Sequence, residues 1–302
     1  MTIHEQLTTG VFPAMLTPFT ASGDIDHDTL AAEARLLEAA GVDGLVPVGS
    51  TGESATLSHE EHVEVVETVV AAVENVPIIA GSGSNNTREA IDLSAGAAAA
   101  GADGLLLISP YYNRPEPAGM AAHYRAIADA VDLPQILYNV PGRTGRNMTP
   151  ETTVELAEHE NIVGYKAASG DLGLISEVVE RTRAADFAVI SGDDGLTLPI
   201  MAVGGTGAIS VAANIAPVRV GALVAAAQRG DYETARTIHH ELGPLFRALF
   251  VESNPIPVKE AAAMQGRCPP SVRSPLSRLG QPHREELAAV LAELGLEDPP
   301  AP

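Results

Sequence analysis

PQILYNV (134–140) and NIVGYKA (161–167) are two short apolar runs, and between them PGRTGRNMTPETTVELAEHE (141–160) turns through proline and glycine before entering a helix capped at Thr149. A strand, a loop, a helix and a second strand of this length make one parallel crossover. The same unit recurs along the chain. Strands are expected in VFPAMLTPF (11–19), DGLVPVG (43–49), PIIAGSG (77–83) and DGLLLISP (103–110) before it, and in FAVISGD (187–193) and TGAISVAAN (206–214) after it. The intervening helices open at Asp26, Ser58, Thr87, Pro115 to Pro117, Asp171 and Asp194, with the last near Pro217. Eight strands, each followed by a helix, predict an α/β fold, a (β/α)8 TIM barrel. A doubly wound sheet would carry a Gly-rich phosphate loop after its first strand, where this chain has Thr17-Pro18-Phe19. Two echoes, AAGVDGL (39–45) and AAGADGL (99–105), place a glycine turn between a helix and the next strand. The barrel is expected over residues 1–229, and residues 230–302 as a C-terminal helical extension with a proline-rich end.

Composition narrows the function. A formal net charge of −21 over 302 residues repels nucleic acid and anionic membranes, and no local basic cluster offsets it. No apolar run approaches the roughly 18 residues of a membrane span, and the first ten residues lack a basic, apolar leader, so a soluble cytoplasmic protein is expected. The one cysteine, Cys268, has no partner for an internal disulfide and makes a structural zinc site improbable. Lysine occurs only at 166 and 259, in a surface otherwise acidic and arginine-bearing. Such a surface suits concentrated salt, and an acidic protein from a high-GC mesophile would share it.

Barrel enzymes carry their reacting groups where strands give way to loops at the C-terminal face. Lys166 stands in the apolar strand GYKA. Burial there would lower its pKa toward a neutral, nucleophilic amine; the alternative is a structural lysine paired with a carboxylate. Arginine cannot replace lysine in amine chemistry because it does not lose its proton. Lys259, in NPIPVK, reads as a structural ion pair outside the barrel. Tyr138, on the strand beside Lys166, is either packing or a proton relay joined to Ser50 and Tyr112. The turn Gly49-Ser50-Thr51-Gly52 is a plain turn or a carboxylate cradle, and Arg143 is a surface arginine or a bidentate carboxylate clamp.

Taken together, GSTGESATL (49–57), SPYYNRP (109–115), ILYNVPGRTG (136–145), SGDD (191–194) and GAISVAAN (207–214) resemble the dihydrodipicolinate synthase family, in the pyruvate-dependent class I aldolase superfamily that includes N-acetylneuraminate lyase. The resemblance runs from about residue 10 through NPIPVK. It implies that Lys166 forms an imine with pyruvate and that Tyr138, Ser50 and Tyr112 relay protons, Tyr112 reaching into the neighbouring subunit. Thr51 and the backbone of Ile209 would position the pyruvate-derived group, and Arg143 would bind the carboxylate of aspartate 4-semialdehyde. It also implies a homo-oligomer, a tetramer built as a dimer of dimers, needing neither metal nor organic cofactor. A lysine-binding regulatory pocket is implied at Ser54, Ala55, His59, His62, Asn85, Glu89 and Tyr111. Two positions depart from the family pattern: Ser50 stands where threonine is commoner, and Ala167 follows the lysine where an acid is common. The other readings are a lyase or aldolase for 2-keto-3-deoxy sugar acids or sialic acids, against which Arg143 and the paired tyrosines argue, and a catalytically silent binding barrel.

Overall fold

Seven strands, β1 (Gly10–Pro13), β2 (Ile79–Gly81), β3 (Gly104–Ile108), β4 (Gln135–Asn139), β5 (Ile162–Ala167), β6 (Ala188–Ser191) and β7 (Gly207–Ser210), form one parallel sheet. Neighbours run from β1 through β7, β6, β5, β4 and β3 to β2. The computed structural model describes residues 2–300, and in it residues 45 and 46 join the two edge strands. Leu45 bridges Ile78 and Val46 bridges Ala14. Hydrogen bonds from Val46 N–H to the Pro13 carbonyl (3.0 Å) and from Ile79 N–H to the Leu45 carbonyl (2.9 Å) close the ring. DGLVPVG, expected as a full strand, is thus an eighth stave made of two bridges. Pro47 has no N–H to give and Val48 turns left-handed at φ 49°, so extended pairing stops there.

The helices are α1 (Ile3–Thr8), α2 (His27–Ala39), α3 (His59–Ala72), α4 (Thr87–Ala99), α5 (Pro117–Ala130), α6 (Pro141–Thr144), α7 (Pro150–Leu156), α8 (Leu172–Thr182), α9 (Thr197–Ala202), α10 (Pro217–Gln228), α11 (Tyr232–Ala248), α12 (Ile256–Met264) and α13 (Gln281–Leu294). Asp26, Ser58, Thr149 and Asp171 cap their helices as expected, each accepting from the backbone three residues on. The cap of α4 is Asn86 rather than Thr87. Asp194 caps nothing by its side chain; its carboxylate is engaged elsewhere. The two echoes also have a physical cause. Gly41 and Gly101 end α2 and α4 with φ of 78° and 95°, and two residues later Asp43 and Asp103 accept from Val11 N–H (2.7 Å) and Ile78 N–H (2.8 Å).

Alternation along each strand splits the core into layers. Leu105 and Leu107 pack outward against helices, while Leu106 joins Phe12, Val46, Ile79, Ile136 and Ile190 inside the barrel. Leu7 of α1, fully buried, packs into the N-terminal end of this interior. Helices α11 to α13 share one apolar cluster with Val11 of β1, Ala208 of β7 and Val224 of α10. No helix among the described residues is long and apolar enough to cross a membrane.

Charged pairs tie the C-terminal helices to the barrel. Arg267, after α12, reaches Glu33 of α2, with side-chain exposures of only 3% and 5%, and also the Asn214 carbonyl at 2.5 Å. Arg267→Ala would leave the Glu33 carboxylate buried and unpaired, an expected loss of about 3–5 kcal/mol. Urea unfolding should show this as a lower midpoint with an unchanged slope. A midpoint equal to that of the parent chain would contradict the account.

Candidate active site

One irregularity aims the central amine. Gln135 of β4 pairs with Ile162 of β5, but Ile136 pairs with Gly164, so Val163 is an extra residue in β5. Ile162 and Tyr165 face the helices and Val163 faces the interior. Strict alternation from Val163 would send Tyr165 inward and Lys166 out. The one-residue shift instead makes Lys166 the register partner of Tyr138, with its ammonium nitrogen 4.2 Å from the centroid of the phenol ring.

Lys166 is 6% exposed, and burial in the apolar interior lowers its pKa from the usual lysine range to about 7. The carboxylate of Asp194 works against this shift and the guanidinium of Arg143 adds to it. Burial likewise raises the Tyr138 phenol, while Arg143 and the neighbouring Ser50 hydroxyl draw it back down. Asp194 is anchored by the Ser210 hydroxyl and by the N–H groups of Val211 (3.1 Å) and Ala212 (2.9 Å), and burial raises its carboxyl. The sequence offered Asp194 as a helix opening; only the SGDD motif signalled more.

A cavity of about 540 Å³ opens at the C-terminal ends of the strands, with Lys166, Tyr138, Ser50, Thr51, Arg143 and Asn254 in its wall. Asn254, which sequence reasoning passed over within NPIPVK, joins two of these residues. Its amide donates to Thr51 Oγ1 (2.9 Å) and its backbone carbonyl accepts from Arg143 Nη2 (2.9 Å). Its side-chain oxygen is buried without a protein partner. Ile209, 1% exposed on β7, packs its side chain within the barrel interior and is not part of the wall.

A second cavity of about 400 Å³ adjoins the first and shares Tyr138, Ser50 and Arg143 with it. Ser54, Ala55, His59, His62, Glu89 and Tyr111 line its far side. The Glu89 carboxyl is held below its usual range chiefly by the Ser84 hydroxyl, then by His59, whose Nε2 lies 2.6 Å away. Burial lowers His62 to about 4, leaving a neutral ring. Asn85 stands just outside, donating to the Tyr111 carbonyl (3.1 Å) and accepting on its own carbonyl from Asn113 (2.8 Å).

Tyr112 is the residue the fold does not bring in. It is 90% exposed, with φ 67°, and lines neither cavity. Among the described residues, the non-glycine residues with positive φ are Val48, Glu53, Tyr112 and Arg114, all in the two loops that border these cavities. Backbone strain of this kind persists where surroundings enforce it and collects at functional sites. No group of three or more His, Cys, Asp or Glu that could hold a metal ion occurs among the described residues.

Comparison with known proteins places this geometry. Residues 7–294 match the model of the dihydrodipicolinate synthetase family. A 4-hydroxy-tetrahydrodipicolinate synthase of Natronomonas pharaonis is 68% identical over 291 residues, covering 96% of this chain and 99% of that protein. The crystal structure of the chloride-inhibited dihydrodipicolinate synthase of Acinetobacter baumannii complexed with pyruvate is 42% identical, with a TM-score of 0.94 over 96% of this chain and 99% of that one. The enzyme from Cyanidioschyzon merolae with lysine bound is 41% identical, with a TM-score of 0.90 over 96% and 99%. With its family model matched along nearly the whole length and its barrel superposing on theirs, the chain belongs to the dihydrodipicolinate synthetase family.

Proposed function

We propose that this chain is a lyase that condenses pyruvate with L-aspartate 4-semialdehyde, through a Schiff base on Lys166, to 4-hydroxy-tetrahydrodipicolinate, the first committed step of lysine and diaminopimelate biosynthesis. The observation that carries the reading is the buried Lys166 amine, with a pKa near 7, in register with Tyr138 at the foot of a cavity that also holds Arg143. At neutral pH a large share of that amine is unprotonated and able to attack a ketone.

The steps follow from the groups at hand. The amine adds to the keto carbon of pyruvate and water leaves, giving a protonated imine. That cation is an electron sink beside the methyl group, which loses a proton to form an enamine; Tyr138, backed by Ser50, carries protons in these exchanges. The enamine carbon attacks the aldehyde of the second substrate, whose carboxylate Arg143 clamps. The product's own amine then displaces Lys166 as the ring closes, freeing the enzyme without a metal or organic cofactor. Thr51 and the backbone of Ile209 hold the pyruvate-derived group. An arginine at the mouth favours a carboxylate-bearing aldehyde over the sugar acids of related lyases.

In this reading Tyr112 completes the relay in a neighbouring subunit, which accounts for a large aromatic side chain held out at a left-handed position. The working form is a cytoplasmic homo-oligomer, with dimers pairing into tetramers, and residues 230–302 act as a helical extension of a 1–229 barrel. Lysine binds the second cavity, its ammonium on Glu89 and its amino-acid end on Asn85, with Ser54, Ala55, His59, His62 and Tyr111 around it.

Borohydride reduction with pyruvate should leave one three-carbon adduct per chain on Lys166, located by mass spectrometry, and Lys166→Arg should abolish it. An adduct on Lys259 instead would sink the assignment. The trapping rate should rise with pH up to about 7 and level off above it, because the depressed pKa leaves the free amine dominant there. Arg143→Ala, by removing a positive neighbour, should move that midpoint upward. Tyr138→Phe should slow turnover by about 10²–10⁴-fold with the fold intact, and Tyr112→Phe by less; full turnover in both would return the tyrosines to packing. Added lysine should inhibit the parent chain and lose its effect in Glu89→Ala, measured at low and high salt because salt screens the ligand's charge. Inhibition unchanged by that substitution would remove the second cavity as its site.

A further inference from the structure

The second lysine is as buried as the first. Lys259 of α12 is fully enclosed, and its ammonium donates to the Glu53 carboxylate and to the Ser271 carbonyl (2.8 Å) while lying 4.1 Å from the centroid of the Phe19 ring. The other carboxylate oxygen of Glu53 accepts from Arg273 N–H at 3.0 Å. Glu53, itself 3% exposed, closes the turn that begins at Gly49, in left-handed backbone at φ 56°. The same turn is pinned on its other side by Thr17 Oγ1, which donates to the Gly52 carbonyl at 2.7 Å.

We propose that the buried Glu53–Lys259 pair is a positioning device for the Ser50-Thr51 turn, by which the C-terminal helices set the carboxylate-binding geometry of the reaction cavity. Three observations carry this. Glu53 is only two residues from Thr51, in left-handed backbone, and both oxygens of its carboxylate are held from residues 259–273, one by the Lys259 ammonium and the other by the Arg273 N–H. A buried ion pair contributes little to stability compared with an apolar pair of the same volume, so its presence points to a geometric duty. Apart from Lys166 the chain uses arginine for its strong bases, yet here it keeps lysine, whose compact ammonium sits between the Phe19 ring, the Ser271 carbonyl and the Glu53 carboxylate, with the Arg273 guanidinium already 4.4 Å from the centroid of the same ring. Lys259 touches no substrate and is a positioning residue, and the inference rests on the pyruvate reading above.

The test is the pyruvate concentration that half-saturates borohydride trapping on Lys166, a readout that involves no second substrate. It is measured with melting temperature in the parent chain, Lys259→Met, Lys259→Arg, Glu53→Gln and the double variant Glu53→Gln/Lys259→Met. Lys259→Met should raise that concentration by about tenfold or more, the loss expected when donors to a charged ligand are misplaced. Lys259→Arg should not rescue it. The double variant, having no uncompensated charge, should recover melting temperature but keep the weak pyruvate binding, a separation that a merely structural pair would not give. Glu53→Gln, which keeps its volume and one acceptor oxygen, should show a smaller rise in the same direction and decides the matter if the lysine variants do not fold. Trapping at the parent concentration in any folded variant lacking the pair would overturn the proposal. Absence of trapping in the parent chain would instead overturn the pyruvate reading on which it stands.

Discussion

An amine enclosed by an apolar barrel is the constraint to which the rest of this structure answers. Burial disfavours the ammonium of Lys166 strongly enough to bring its pKa down to about 7, and Asp194 opposes that shift without cancelling it. Three of the polar groups around the amine are then fixed by hydrogen bonds that do not involve it. Asp194 is held by Ser210 and two backbone N–H groups, Arg143 by the carbonyl of Asn254, and Thr51 by the Asn254 amide. A site built this way is organised before a substrate arrives.

The barrel and the C-terminal helices divide the labour. Strands β4, β5 and β6 with their loops supply the phenol, the amine and the buried carboxylate, and the short helix α6 supplies the arginine. The segment around α12 contributes Asn254 and Lys259, which reach back to the turn after the eighth stave. Strain is concentrated at the same places: Val48 and Glu53 bracket that turn, and Tyr112 and Arg114 stand in the loop after β3. Two cavities meet at Tyr138, Ser50 and Arg143, so whatever occupies the outer one faces groups that belong to the inner one.

Much of this was readable in one dimension. Alternating apolar runs and capped helices give the barrel because period and capping are local properties of the chain, and Asp26, Ser58, Thr149 and Asp171 cap where they were expected. DGLVPVG reads as a strand because its composition is that of one, yet it forms bridges only at Leu45 and Val46: Pro47 still accepts from Gly81 N–H but has no donor to return, and Val48 turns. Asp194 read as a helix opening because an acid before a helix is the ordinary cap. Its actual partners at 210–212 lie at the end of β7 and in the turn just after it, and no local pattern announces them.

The sequence by itself determined the barrel, the rarity of lysine, and the set of motifs that carries the family resemblance, because these depend on composition and on spacing along the chain. Only the tertiary structure decided which way Lys166 points. A strand's side chains alternate, so facing is set by register with the neighbouring strand, and the extra residue at Val163 reverses what strict alternation would give. The Glu53–Lys259 contact was decided in the same way: an ion pair was expected at Lys259, but its partner stands 206 positions away, and closure of the barrel brings the two together.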